Sequence, residues 1–236
     1  AAVRFSFESK PGVCGDGENI RVRRTPADAV SVAERGREYT INSGRTYRDR
    51  LQECIEGPVH VELERADGRI TAARVRVGGA ARTDGIDLGD VDPAAAVAFM
   101  LDGSVLRDAR GRAADRMVFA ATLARAESWP LLLRAARMQE LPAGARKSAV
   151  FWLAQEASEK AAEGLGSIVG NDSDELEVRK QAVFALSQIR SDASIDTLIE
   201  IARTNREPEI RKNAMFWLGQ SGDPRALAFF EEVLRG

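Results

Sequence analysis

Arg146-Lys147-Ser148-Ala149-Val150-Phe151-Trp152-Leu153-Ala154-Gln155 recurs as Arg179-Lys180-Gln181-Ala182-Val183-Phe184-Ala185-Leu186-Ser187-Gln188, and again as Arg211-Lys212-Asn213-Ala214-Met215-Phe216-Trp217-Leu218-Gly219-Gln220. The offsets are 33 and 32 residues, and six of the ten positions are identical in all three copies. A fixed period of this size marks an array of one supersecondary unit. In each block the Ala and the next residue stand four and three positions before the Leu, so Ala149, Val150 and Leu153 share one face of a helix. Four further amphipathic stretches alternate with the blocks, at 129–137, 160–169, 195–203 and 225–234. The unit therefore reads as helix, turn, helix. One pair cannot cover its own apolar face, and stacking pairs buries it, which predicts an α-solenoid of about four helix pairs. A weaker copy begins near Ala114, where Val118-Phe119-Ala120-Ala121 stands for Val150-Phe151-Trp152-Leu153.

Working outward, Asp92-Pro93 has the form of a helix N-cap followed by proline in the first turn, and helical period runs from there onward. Upstream, Gly78-Gly79 to Asp90 is rich in Gly and Asp and reads as a link. From Pro58 to Val77 the period is two: Val59, Val61 and Leu63 alternate with His60, Glu62 and Glu64. Ala66-Asp67-Gly68-Arg69 supplies a turn, and the return strand places Thr71, Ala73, Val75 and Val77 on one face. Val3, Phe5 and Phe7 predict a third strand of the same sheet. The chain is thus mainly α, with a β-rich region at 1–77, a linker at 78–91 and the solenoid at 92–236.

Between Pro11 and Gly57 the sequence is loop-like, with one short helix expected near Ala27 to Glu34. Cys14 and Cys54 stand beside turn residues in this weakly cored stretch. Two readings stay open: a disulfide, or two unrelated buried thiols. A bridge closing this loop would stabilise by on the order of 4 kcal/mol and would imply an oxidising compartment. The Ala1-Ala2 start agrees with a mature exported chain, and equally with an excised piece.

Composition narrows the function classes. Net charge is -2 with 34 Lys and Arg against 36 Asp and Glu, so no general grip on phosphate backbones is implied and no nucleic-acid partner is expected. No run approaches the roughly 18 apolar residues of a transmembrane segment. With one His and two Cys, a structural zinc site lacks ligands, and no cofactor is expected. Any Ser/His/Asp relay would have to use His60, which the strand period puts on the solvent face.

The segment from about Asp92 to Gly236 resembles a short bacterial HEAT-repeat array of the phycobilin-lyase type, through the three blocks, Val178-Arg179, Ile210-Arg211 and Gly222-Asp223-Pro224-Arg225-Ala226-Leu227. The first half is similar to exported bacterial HEAT-repeat proteins, through Pro11-Gly12-Val13-Cys14-Gly15-Asp16-Gly17 and the stretch from Cys54 to Val61. The resemblance implies a solenoid that recognises other proteins: a non-enzymatic adaptor or scaffold of the bacterial envelope, periplasmic or extracellular. A second reading is an accessory structural subunit of a larger complex or homo-oligomer. A third, resting on the resemblance alone, is a lyase-like enzyme.

Candidate partner contacts follow. Trp152 and Trp217 occupy the same repeat position and serve either as anchors or as packing between repeats. If the second helices line the inner face, Arg134, Arg137, Arg203 and Arg225 mix there with acidic residues, which suits a protein partner. Phe229 and Phe230 are expected to be exposed on the final repeat. The Arg-Lys pair opening each block is either a basic ladder or a structural device bonding loop carbonyls and the nearby Asp172, Asp174 and Glu209.

Overall fold

A computed structural model describes residues 2–22, 55–78, 85–155, 159–189 and 191–235. It divides into two compact units, Ala1–Ser128 and Trp129–Gly236. The helix expected near Ala27 to Glu34 lies outside the described residues, as does Cys54.

In the first unit, β1 (Ala2–Phe7), β5 (Val59–Ala66), β6 (Arg69–Val77) and β7 (Ile86–Asp90) form a sheet in the order β6-β5-β1-β7. The β5–β6 hairpin turns through Asp67 and Gly68, both with positive φ (51° and 75°), as the tight two-residue turn requires. The third strand is β1, antiparallel to β5 with Phe5 opposite Val61. A small second sheet joins β2 (Val13–Gly15) to β3 (Ile20–Val22) and β4 (Ile55–Glu56).

Three expectations need correction here. Glu64 faces Ala72 while Arg65 faces Ile70, so Thr71 is an extra, bulged residue. The bulge reverses the alternation, and Ile70 is buried while Thr71 is exposed. Glu62 is buried rather than solvent-facing, because it lies on a central strand between Arg4 and Arg74. Its carboxylate accepts from Arg74 at 3.1 Å. The segment read as a linker contains β7, which pairs in parallel with β1. Gly85 allows this: a Cβ there would lie 2.7 Å from the Ala2 carbonyl oxygen.

The boundary also lies later than Asp92. Helices α1 (Pro93–Met100), α2 (Gly103–Asp108) and α3 (Ala113–Leu123) belong with the sheet, including the weak repeat copy near Ala114. The physical reason is that the apolar sheet face of Phe5, Phe7, Val61 and Val75 needs a cover. α3 packs on β5 and β6 and contributes Met117, Val118 and Leu123, all fully buried. Backbone bonds tie the layers: Arg110 N donates to Ile70 O at 2.8 Å and Lys10 N to Leu123 O at 2.8 Å. Asp92 caps α1 as expected, accepting from Ala95 N at 2.9 Å.

The second unit alternates two sets of helices. The first helices are α5 (Ala143–Gln155), α7 (Leu176–Gln188) and α9 (Pro208–Ser221), one for each sequence block. The second helices are α4 (Trp129–Arg137), α6 (Glu159–Val169), α8 (Asp192–Thr204) and α10 (Pro224–Arg235). First helices stack on first helices and second on second. Ala149, Val150, Leu153 and their counterparts Ala182, Val183 and Leu186 are all 0% exposed, as the block spacing predicts. α6 carries two glycines mid-helix, a placement that costs about 1 kcal/mol each relative to Ala. Close packing explains them: a Cβ at Gly164 would lie 2.9 Å from Leu133, and one at Gly166 would lie 2.9 Å from Thr197.

The block arginines are structural. Arg146 is 1% exposed; its Nε donates to the Ala136 carbonyl at the end of α4, and its guanidinium bonds buried Asp174 in the loop before α7. Arg179 repeats the arrangement, donating to Val169 O at 2.9 Å and to Asn205 Oδ1 at 3.1 Å. Each arginine therefore satisfies a helix-terminal carbonyl behind it and a polar loop side chain ahead of it. Arg146→Met is expected to cost about 3–5 kcal/mol in urea unfolding, because Asp174 would remain buried and unpaired. Arg146→Met with Asp174→Leu should recover much of that loss, and Lys147→Met should stay within about 0.5 kcal/mol of the parent.

Candidate functional site

His60 stands on the sheet face opposite the helices, between Arg76 on β6 and Ser6 on β1, with Asp90 of β7 beyond Ser6. Ser, His and Asp thus share one cross-strand row. A nucleophile relay needs the imidazole between hydroxyl and carboxylate. Here the hydroxyl is in the middle, and Ser6 Oγ donates directly to Asp90. This row does not have the geometry of a relay. Among the described residues, no group of three or more His, Cys, Asp or Glu side chains is placed to hold a metal ion.

The first helices carry a line of aromatic rings. Phe151 meets Trp152 edge-on at 5.0 Å. Trp217 bridges two repeats, 5.0 Å from Phe184 on α7 and 4.9 Å from Phe216 on its own helix. Its place in the middle of this cluster gives it a packing role between repeats. Phe216 is 56% exposed. Trp217 Nε1 and Asn213 Oδ1, one turn apart, are buried without a hydrogen-bond partner among the described residues, an arrangement that costs about 1–3 kcal/mol for each group.

On the second helices the candidate arginines act mostly as ties between neighbouring repeats. Arg137 donates to Ser167 across α4 and α6. Arg203 reaches Glu232 across α8 and α10, and its guanidinium lies 5.5 Å above the Phe229 ring. Phe229 is only 2% exposed, contrary to expectation, because it is the residue of α10 that packs back toward α8. Phe230 is half-buried, and the exposed apolar side chains of α10 are instead Leu227, Val233 and Leu234. Arg134 is exposed.

Arg225 gathers three carboxylates: Asp223 at 2.9 Å, Asp192 at 2.8 Å and Asp196 at 3.3 Å. The sequence indicated a basic contact residue, and the structure makes it a bracket joining α10 to α8. The structure does not gather the eight candidates into one site; the tryptophans lie on first helices and the arginines and phenylalanines on second helices. A feature that the sequence reading missed is an open cavity of about 540 Å³ lined by Gly166 of α6 with Asp196, Thr197, Glu200 and Thr204 of α8. Gly166, one of the two mid-helix glycines of α6, was its available signal.

The bracket has a pH signature. The side chain and backbone N–H of Arg225 bond Asp223 and lower its pKa to about 2 from an ordinary 3.8. A carboxyl depressed on folding contributes stability that is full above its unfolded pKa and is lost as pH falls through the folded value. Asp223→Asn should therefore remove part of the acid-induced destabilisation between about pH 4 and pH 2. Thermal unfolding of parent and variant across that range measures it, and identical pH profiles would count against the bracket.

Residues 130–215 and 162–236 each match the family described as HEAT repeats. Among solved structures, the chain is similar to human deoxyhypusine hydroxylase in complex with glycerol, at 22% identity and a TM-score of 0.45. That similarity covers 55% of this chain and 43% of the other, so the chain spans less than half the length of that protein. No curated protein matches the chain. Residues 130–236 form a HEAT-repeat region.

Proposed function

We propose that this protein is a non-enzymatic interaction module, an adaptor or scaffold of the bacterial envelope, that holds a protein partner through its HEAT-repeat unit. The observation that carries the reading is the repeat itself. HEAT repeats serve generally as protein-interaction scaffolds, and here three copies present equivalent side chains on successive stacked helices. The second-helix arginines support a protein rather than a nucleic-acid partner. Arg137, Arg203 and Arg225 are engaged within the solenoid, whereas phosphate backbones call for clustered cations free to release counterions. No helix among the described residues is long and apolar enough to cross a membrane.

The envelope assignment rests on a Cys14–Cys54 disulfide. Cys14 is fully buried and is not a free thiol. Its neighbour Gly15 pairs with Ile55, the residue after Cys54. A second reading, a subunit fixed in a larger assembly, is favoured by the exposed Leu227, Val233 and Leu234 on α10.

Crosslinked capture of the tagged protein from its native envelope, compared with a chain lacking residues 129–236, tests the module. A stoichiometric partner that disappears with the solenoid is the expected outcome; recovery of self-contacts only would shift the reading to the assembly subunit. Intact mass under non-reducing conditions should be lower than the reduced mass by two hydrogens, and equal masses would remove the disulfide and the compartment argument with it.

A further inference from the structure

The Arg-Lys dipeptide that opens each block is split by the fold. Arg146 and Arg179 turn inward, whereas Lys147 and Lys180 are half-buried and Lys212 is exposed. Residues four apart share a helix face, so each lysine stands one turn before a phenylalanine: Lys147 and Phe151 on α5, Lys180 and Phe184 on α7, Lys212 and Phe216 on α9. The three helices pack in that order. One surface therefore carries a ladder of cations beside a ladder of phenyl rings, one rung per repeat.

The rings of this ladder pack on one side against Trp152 and Trp217, but among the described residues no ion pair joins its lysines from one repeat to the next. Among the described residues, Lys180 and Lys212 meet only the acids three residues earlier on their own helices, Glu177 at 3.5 Å and Glu209 at 3.2 Å. Exposed pairs of this kind stabilise by less than about 1 kcal/mol and exchange readily. At the equivalent place before Lys147 stands Gly144, which offers no carboxylate. Phe216 packs edge-on against Trp217 of its own helix yet remains 56% exposed, which leaves much of its ring open to a partner.

The spacing selects the shape of what would fit. Stacked helices lie about 8–10 Å apart. A β-strand crossing them advances about 10 Å in three residues, but its side chains alternate, so every third residue would point the wrong way. A polyproline-II segment advances about 3.1 Å per residue with three residues per turn, so every third side chain returns to the same face after about 9 Å. Aromatic-lined surfaces are suited to this conformation, which has little chain entropy left to lose. We infer that the first-helix surface of α5, α7 and α9 docks an acidic polyproline-II segment of a partner protein, with a carboxylate every third residue on Lys147, Lys180 and Lys212 and an apolar residue beside it on Phe151, Phe184 and Phe216. This deepens the proposed function and rests on it.

A labelled peptide of repeated Glu-Leu-Pro triplets, titrated against the full chain by fluorescence anisotropy, tests the surface. The expected result is saturable binding that weakens with salt. Binding should fall about tenfold or more for Lys147→Glu/Lys180→Glu/Lys212→Glu, and similarly for Phe184→Ser/Phe216→Ser, each verified as folded by circular dichroism. Arg235→Glu, at the exposed end of α10, should bind as the parent does. Equal binding of a shuffled peptide of the same composition, unchanged binding by the triple-lysine variant, or no binding by the parent would each overturn the inference. The envelope capture separates the two levels. A solenoid-dependent partner retained by the triple-lysine variant sinks this surface and leaves the module standing, whereas no partner for the parent chain sinks both.

Discussion

The buried guanidinium of Arg146 depends on two things at once: the free carbonyl at the end of α4 and the carboxylate of Asp174 before α7. Neither belongs to its own helix. A buried cation is tolerable only when such partners are in place, and a helix-terminal carbonyl buried away from water needs a donor. The side chain thus joins three consecutive pieces of chain, and Arg179 repeats the arrangement 33 residues later with Val169 and Asn205. Apolar packing along Ala149, Val150 and Leu153 supplies the general drive to stack. The arginines decide the register in which stacking occurs, because a slip would leave them unpaired.

With Arg146 and Arg179 committed to the interior, the surface of the first helices is left to other residues. On the second helices, cations are paired across repeats with Ser167, Glu232 and the aspartates around Arg225. These ties use positive charge to hold neighbouring helices. On the first helices, among the described residues, no ion pair ties the lysines to a neighbouring repeat, and the phenylalanines beside them are only partly covered. The two sides of the array therefore differ in chemistry although they derive from one repeated motif. On the first helices a lysine and a partly covered phenyl ring recur once per repeat, and it is this surface that the proposed docking uses.

The first unit obeys a different constraint. A sheet whose one face is Phe5, Phe7, Val61 and Val75 must be covered, and the chain covers it with the helices that follow, α1 to α3. Its other face is polar and cross-linked, with Glu62 held by Arg74 and Ser6 by Asp90. His60 stands in that network beside Ser6, whose hydroxyl is already committed to Asp90.

The sequence alone determined the solenoid, because a block repeated at 33 and 32 residues can bury its apolar stripe only against its own copies. It also determined the β5–β6 hairpin and its partner β1, through a period of two and an Asp-Gly turn. Tertiary structure decided what local pattern does not encode. A one-residue bulge at Thr71 changed which face Ile70 occupies, and β7 arose in a Gly- and Asp-rich stretch because Gly85 can approach Ala2. Helices of solenoid-like period joined the sheet because its apolar face had to be covered. The Arg-Lys dipeptide was legible as a motif, but adjacent residues on a helix point about 100° apart, and only the packed array shows which of the two turns inward. The candidate contacts divided for the same reason: Phe229 is hidden and Phe230 only half-buried according to which helix lies next to each, and that depends on residues far away in the chain.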